Sequence, residues 1–258
     1  MSKMKNPFAW YELMTSDVGA AARFYSTVVG WREADSGMEG FDYRLFYSGD
    51  SMVAGLMAQP EASKAAGSPP GWLGYVGVAD VDAATDRARQ LGATVHVEPR
   101  DIPEVGRFAV LSDPQGAVFA LFAGSDEGAA RPPMGSPGQV GWNELYASDW
   151  EKLLPFYEAL FGWTKGIPVD MGAMGTYQLI AAEPGAEGFG GMFNKPPEVP
   201  ATFWLYYFSV ESIDAAAERV KANGGTVLMG PMEVPGGAFI VQCRDPQGAV
   251  FALTGPRT

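Results

Sequence analysis

The 258 residues include only one cysteine and one histidine, and that scarcity excludes a good deal. The lone Cys243 has no partner for an internal disulfide, and its place in a strand-like run reads as a small, inert side chain. His96 has no counterpart elsewhere in the chain and reads as a surface or edge residue of a strand. Basic residues are also short: 18 Lys and Arg face 30 Asp and Glu, and the net charge of −12 would repel nucleic acid and anionic membrane surfaces alike. No apolar run approaches the roughly 18 residues that a membrane span needs. Met1 to Trp10 lack the apolar stretch of a signal peptide. No Cys-x-x-Cys pair, phosphate-cradling glycine loop or nucleophile elbow occurs. A soluble, cytoplasmic protein is expected.

What the chain does contain is a repeat. Asp113 to Leu121 returns letter for letter as Asp245 to Leu253, 132 positions later. Within the block Trp10 to Trp31, the residues Trp10, Glu12, Leu13, Ser16, Asp17, Phe24, Tyr25, Gly30 and Trp31 return between Trp142 and Trp163 at the same offset. A repeat this long is a whole folding unit, not a solenoid element. The composition, 47% apolar and 19% charged, is that of a globular protein. The Gly-, Pro-, Ser- and Ala-rich stretch Ala123 to Val140 reads as a linker, which predicts two tandem domains, residues 1–130 and 131–258. Pro-broken stretches at Gln59 to Gly71 and Asn194 to Ala201 divide each half again.

Each of the four pieces opens with an apolar, aromatic run, followed by a residue suited to cap a helix and then a helical stretch. The caps are Asp17, Asp80, Asp149 and Ser212, and the helices are expected over Ala20 to Val29, Val81 to Leu91, the stretch after Asp149, and up to Asn223. Pro155 would kink the third helix or delay its start by a turn. Short strand-like stretches follow, among them Tyr43 to Tyr47, Thr94 to Glu98, Arg107 to Leu111 and Ala117 to Phe122. Asp113-Pro114-Gln115-Gly116 suits a type I turn joining the last two strands as a hairpin. Each piece therefore reads as βαβββ, an α+β arrangement of curved mixed sheets with helices outside.

A strand leading to Asp, Phe-Tyr and Gly-Trp in the helix that follows, a second strand–Asp–helix unit, and Asp-Pro-x-Gly before a final strand resemble the vicinal oxygen chelate superfamily. This group includes glyoxalase I, bleomycin-resistance proteins and extradiol dioxygenases. The likeness covers nearly the whole chain twice over and is closest to tandem two-domain, glyoxalase-like proteins. It implies a divalent metal held by His or Glu from strands of paired βαβββ units. The ligand positions carried over from it fall on Trp10, Leu73 and Ala120, and in the repeat on Trp142, Leu205 and Ala252. None of these side chains can bind a metal. No metal and no other cofactor is expected.

Strand side chains alternate, so Trp10, Glu12 and Met14 share one face, and Trp142, Glu144 and Tyr146 share the matching face of the repeat. The resemblance makes that face the concave one. A carboxylate there needs a partner, and Arg44 or Arg107 could supply it in the first repeat. Tyr43, Tyr177, Trp204 and Tyr206 are further candidates for the walls, and Met38, Met171 and Met174 for the mouth. Three readings follow. The first is a metal-independent protein that binds a small apolar or aromatic molecule through Trp10, Met14, Tyr43, Trp142, Tyr146 and Tyr177. The second is a lyase, isomerase or hydroxylase-like enzyme using Glu12 or Glu144 as acid or base. The third is an interaction module whose cavities are filled by its own side chains. A monomer or a homodimer is expected.

Overall fold

Four helices each start at a residue whose side-chain oxygen accepts from the backbone N–H three positions on. Asp17 takes Ala20 N at 2.9 Å, Asp80 takes Ala83 N at 3.0 Å, Asp149 takes Lys152 N at 3.2 Å and Ser212 takes Ala215 N at 3.3 Å. Each such cap is worth about 1 kcal/mol. The computed structural model describes residues 6–38, 40–124 and 132–258, and the expected domain boundary near residue 130 lies outside them.

The first βαβββ piece is β1 (Phe8–Thr15), α1 (Val18–Val29), β2 (Arg32–Asp35), β3 (Tyr43–Ser48) and β4 (Ser51–Ala58), followed by a short α2 (Glu61–Ala65). The second is β5 (Gly71–Gly77), α3 (Val81–Gln90), β6 (Thr94–Ile102), β7 (Gly106–Ser112) and β8 (Val118–Gly124). The third is β9 (Val140–Ala147), α4 (Trp150–Phe161), β10 (Thr164–Asp170), β11 (Thr176–Ala181) and β12 (Gly188–Asn194). The fourth is β13 (Phe203–Ser209), α5 (Ile213–Ala222), β14 (Thr226–Glu233), β15 (Phe239–Arg244) and β16 (Val250–Gly255). The strand orders are β2-β3-β4-β1-β5-β8-β7-β6 and β10-β11-β12-β9-β13-β16-β15-β14, two mixed eight-stranded sheets.

Two expectations are refined. Helix α1 begins at Val18, directly after its cap, two residues earlier than expected. Helix α4 begins at Trp150 and carries Pro155 inside it, so the proline does not delay the start; the Asp149 cap sets it.

By spatial contact the described chain forms two compact units, each drawing on both repeats. One comprises Trp10–Leu73, Pro132–Trp142 and Leu205–Thr258, and is called the first–fourth unit below. The other comprises Met1–Ala9, Gly74–Arg131 and Asn143–Trp204, the second–third unit. The duplicated motifs explain this pairing. In the first–fourth unit the Tyr25 hydroxyl of α1 donates to Asp245 Oδ2 at 3.1 Å, and Trp72 Nε1 donates to Tyr25 at 2.9 Å. In the second–third unit the Tyr157 hydroxyl of α4 donates to Asp113 Oδ2 at 2.8 Å, and Trp204 Nε1 donates to Tyr157 at 3.1 Å. The other oxygen of each aspartate accepts two backbone N–H groups of its own turn, Gln115 and Ala117 or Gln247 and Ala249. The Phe-Tyr and Asp-Pro-Gln-Gly motifs are thus two ends of one buried bond, each from a different repeat. Burial pushes both aspartates up from the ordinary carboxyl range, against the pull of these donors.

Aromatic packing surrounds each bond. Tyr25 meets Phe251 at 5.1 Å and Trp72 meets Phe208 at 4.7 Å in one unit; Tyr157 stacks on Trp163 at 5.1 Å in the other. Contacts of this kind add about 0.5–1.5 kcal/mol each beyond the area they bury.

Candidate functional site

On β1 the alternation is visible in burial: Tyr11, Leu13 and Thr15 are buried on one face, while Trp10 and Met14 are half-buried on the other with Glu12 between them. Glu12 is 7% exposed. A carboxylate so enclosed needs donors, and β3 brings one. Trp10 Nε1 donates to the Tyr43 hydroxyl at 3.0 Å, and that hydroxyl donates to Glu12 Oε2 at 2.9 Å. An indole can only donate, so the chain of bonds runs one way and ends on the carboxylate. Burial, and then the charge of Glu12, push the Tyr43 phenol well up, so it keeps its proton and remains a donor.

A glycine makes room for this chain. Gly55 on β4 pairs with Glu12 on β1, and a Cβ on Gly55 would sit 1.9 Å from the Tyr43 hydroxyl and 3.1 Å from Trp10 Nε1. The tyrosine therefore lies where a side chain of β4 would otherwise stand. Phe41 stacks against Tyr43 at 6.2 Å and 16° and is 46% exposed, extending the aromatic surface outward.

The second repeat builds the same frame. Gly191 on β12 pairs with Glu144 on β9, and a Cβ there would sit 2.1 Å from Tyr177 Cε1. Glu144 is 8% exposed. Trp142, two residues before Glu144 on β9, is half-buried. The surroundings differ. Tyr146 lies parallel to Phe203 at 4.6 Å and 14°, and it meets Phe193 at 4.6 Å; Phe193 in turn stacks on Tyr177 at 5.7 Å. Tyr146 and Phe193 are both buried.

Other candidates fall elsewhere. Trp204 and Tyr206 are core: Trp204 bonds Tyr157, and Tyr206 packs edge-on against Tyr11 at 5.1 Å. Arg44 pairs with Glu33 and Asp42, and Arg107 with Asp82 and Asp101, so a tyrosine rather than either arginine serves Glu12. Both arginines have acidic residues nearer their own strands and stay at the solvent edge. Met174 is exposed. His96, exposed on β6, bonds Ser112 Oγ at 3.0 Å. Cys243 is buried in β15 and its thiol is pushed up to about 12 by burial, which keeps it an unreactive thiol. Sequence reasoning missed Gly55, Gly191, Phe41, Phe193 and Phe203. Only the strand-interior glycines carried a signal, since glycine inside a strand marks close approach.

The residues where this fold would carry a divalent ion do not fit one. Leu73, Ala120, Leu205 and Ala252 are buried and apolar, and Trp10 and Trp142 offer indoles. Among the described residues no three His, Cys, Asp or Glu side chains gather as a metal cluster. No helix among them is long and apolar enough to cross a membrane. An open crevice of about 550 Å³ lies apart from Glu12, lined by α1 residues Arg23 and Thr27 together with Asn223 and Gln247.

Comparison with known proteins agrees with the geometry. The chain is 32% identical over 250 residues to the putative glyoxylase CFP32 of Mycobacterium tuberculosis, covering 96% of this chain and 94% of that one. It is 32% identical over 264 residues to the anthracycline biosynthesis protein DauV of Streptomyces sp. (strain C5), covering 95% and 91%. In fold it is similar to the Mn(II)-bound glyoxalase from Novosphingobium aromaticivorans, with a TM-score of 0.68 at 18% identity over 100% of this chain and 84% of that one. A homoprotocatechuate 2,3-dioxygenase from B. fuscum gives 0.67 at 16% identity, over 100% and 73%. The profile of the Glyoxalase/Bleomycin resistance protein/Dioxygenase superfamily matches residues 8–121 and again 139–253. With both repeats matched over nearly their full length, the chain belongs to that superfamily.

Proposed function

We propose that this chain binds a small, largely apolar or aromatic molecule on the Glu12 face of β1, without a metal. The observation that carries the reading is the Trp10–Tyr43–Glu12 chain of bonds, which starts at Trp10, one of the positions where the family resemblance would put a metal ligand, and ends on a carboxylate able to accept from a ligand hydroxyl or amine. Trp10 and Met14 supply apolar wall, and Tyr43 fixes the carboxylate. The corresponding residues of the second repeat, Trp142, Glu144, Tyr146 and Tyr177, form the parallel candidate site. A cytoplasmic location, and action as a monomer or homodimer on a diffusible molecule, belong to the same proposal; the two relatives quoted above, one named a putative glyoxylase and one an anthracycline biosynthesis protein, fit small-molecule work.

The test is a binding panel of small aromatic and aliphatic compounds read by tryptophan fluorescence, with and without a strong chelator. Binding is expected to survive chelation and to weaken about 10- to 100-fold in Glu12→Gln, the loss of one charge-assisted hydrogen bond. Binding abolished by chelation, or unchanged in Glu12→Gln, overturns the proposal. A second reading is favoured by the same Tyr43–Glu12 bond: a carboxylate with a protonated phenol beside it can accept a proton from a bound substrate. In that case pH-dependent turnover should accompany binding and vanish in Glu12→Gln with Glu144→Gln.

A further inference from the structure

The two repeats place different residues at three matched positions around the glutamate. On β1 and β4 the pair that follows Glu12 and Gly55 in register is Met14 with Met57; on β9 and β12 it is Tyr146 with Phe193. The first residue of β13 is Phe203, and the first residue of β5 is Gly71. In the second repeat these residues and Tyr177 form one continuous run of rings, Phe203 on Tyr146, Tyr146 against Phe193, Phe193 on Tyr177. In the first repeat two flexible thioethers and a bare backbone stand in their place, and a Cβ built on Gly71 would meet nothing within 4 Å. Met14 and Met57 are half-buried where Tyr146 and Phe193 are buried. Methionine adapts its shape to an incoming group, and Phe41 adds an exposed ring stacked beside Tyr43.

We infer that only the first repeat takes a ligand, and that its occupant is a planar hydroxylated aromatic that takes the place Phe203 fills in the second repeat, stacked over the Met14 position. The second site is closed by its own side chains and has become structural, and those side chains are a template for the ligand of the first. Phe203 lies parallel to Tyr146 at 4.6 Å there, and the corresponding place in the first repeat is one flat layer between Met14 and the Gly71 strand, with the ligand's hydroxyl directed to Glu12. This rests on the binding reading of Glu12 given above and narrows it to one site and one ligand class.

Isothermal titration calorimetry with naphthol tests it on the whole chain. Wild type should bind one naphthol per chain. Gly71→Phe, which supplies the missing ring, should keep the wild-type melting temperature and weaken binding by more than about tenfold, a loss of one good ring contact or more. Tyr146→Met with Phe203→Gly should open the second site and raise the stoichiometry to two. If Gly71→Phe does not fold, Met14→Tyr with Met57→Phe asks the same question. Two naphthols per wild-type chain, undiminished binding in a folded filling variant, or no second equivalent in a folded opened variant would each overturn the inference. If naphthol does not bind but hexanol binds in a Glu12-dependent way, the narrowing to flat aromatics fails and the parent reading stands; if neither binds, both fail.

Discussion

The site around Glu12 and the site around Glu144 share a frame and differ in filling. In both, a glycine opposite the glutamate lets a tyrosine from the neighbouring strand lie flat across the sheet. Around Glu144 the ring stacked on that tyrosine is the buried Phe193, in a run that continues through Tyr146 to Phe203; around Glu12 it is the exposed Phe41. The contrast separates what the fold needs, a small residue under a tyrosine, from what the repeats are free to vary, the rings beside it.

The largest effects should fall where the two halves of the molecule are alike. Asp113→Ala and Asp245→Ala each leave a buried tyrosine hydroxyl and two backbone N–H groups without acceptors, and each should destabilise by about 2–4 kcal/mol in urea unfolding. A large difference between the two would break the equivalence of the units.

The glycines sharpen the contrast. Gly191→Ala drives a methyl into Tyr177, which has Phe193 behind it, and should cost about 1–3 kcal/mol from overpacking. Gly55→Ala meets Tyr43, whose outer neighbour Phe41 is exposed and can give way. Its thermal destabilisation should be smaller than that of Gly191→Ala, while ligand binding is lost because Tyr43 leaves Glu12.

A smaller difference separates the two turn glutamines. Gln115 donates to Asp149 O at 2.7 Å and accepts from Ser148 N and Asp149 N, tying the β7–β8 turn to the start of α4. Gln247 occupies the matching turn, yet its Oε1 is buried without a hydrogen-bond partner. Gln115→Ala should cost about 1–2 kcal/mol, and Gln247→Ala should change stability by less than about 0.5 kcal/mol.

The pH response is the subtlest of these effects. Because burial raises the native pKa of Asp113 and of Asp245, the folded state holds their protons more tightly than the unfolded chain does. Their contribution to stability is therefore fully present below the ordinary aspartate value and is lost as pH rises through the raised native values. Urea unfolding across that window should show the component in wild type, and Asp113→Asn with Asp245→Asn should remove it.

Much of the frame was legible in the sequence because it rests on local rules. A capping oxygen before an apolar helix, Pro and Gly at set positions of a turn, and strict alternation along β1 placed the elements, and the duplicated letters placed them twice. The α+β architecture and the superfamily followed from the same residues. The partner of Glu12 was not legible. Tyr43 reaches it from 31 residues away across β4, over a glycine whose role depends on register. Arg44, one residue further along β3, offered opposite charge and was the natural candidate, but alternation turns it to the other face, where Glu33 and Asp42 take it. The aromatic run of the second repeat was hidden likewise, since Phe193 and Phe203 are ordinary strand residues until pairing brings them to Tyr146.

The most direct test of the division between the two sites follows the indole N–H signals of Trp10 and Trp142 by NMR during a naphthol titration, assigned with Trp10→Phe and Trp142→Phe variants. The Trp10 signal should move and saturate, because its N–H donates to the Tyr43 hydroxyl that holds Glu12, while the Trp142 signal stays in place. Equal movement of both, or movement of Trp142 alone, would contradict it.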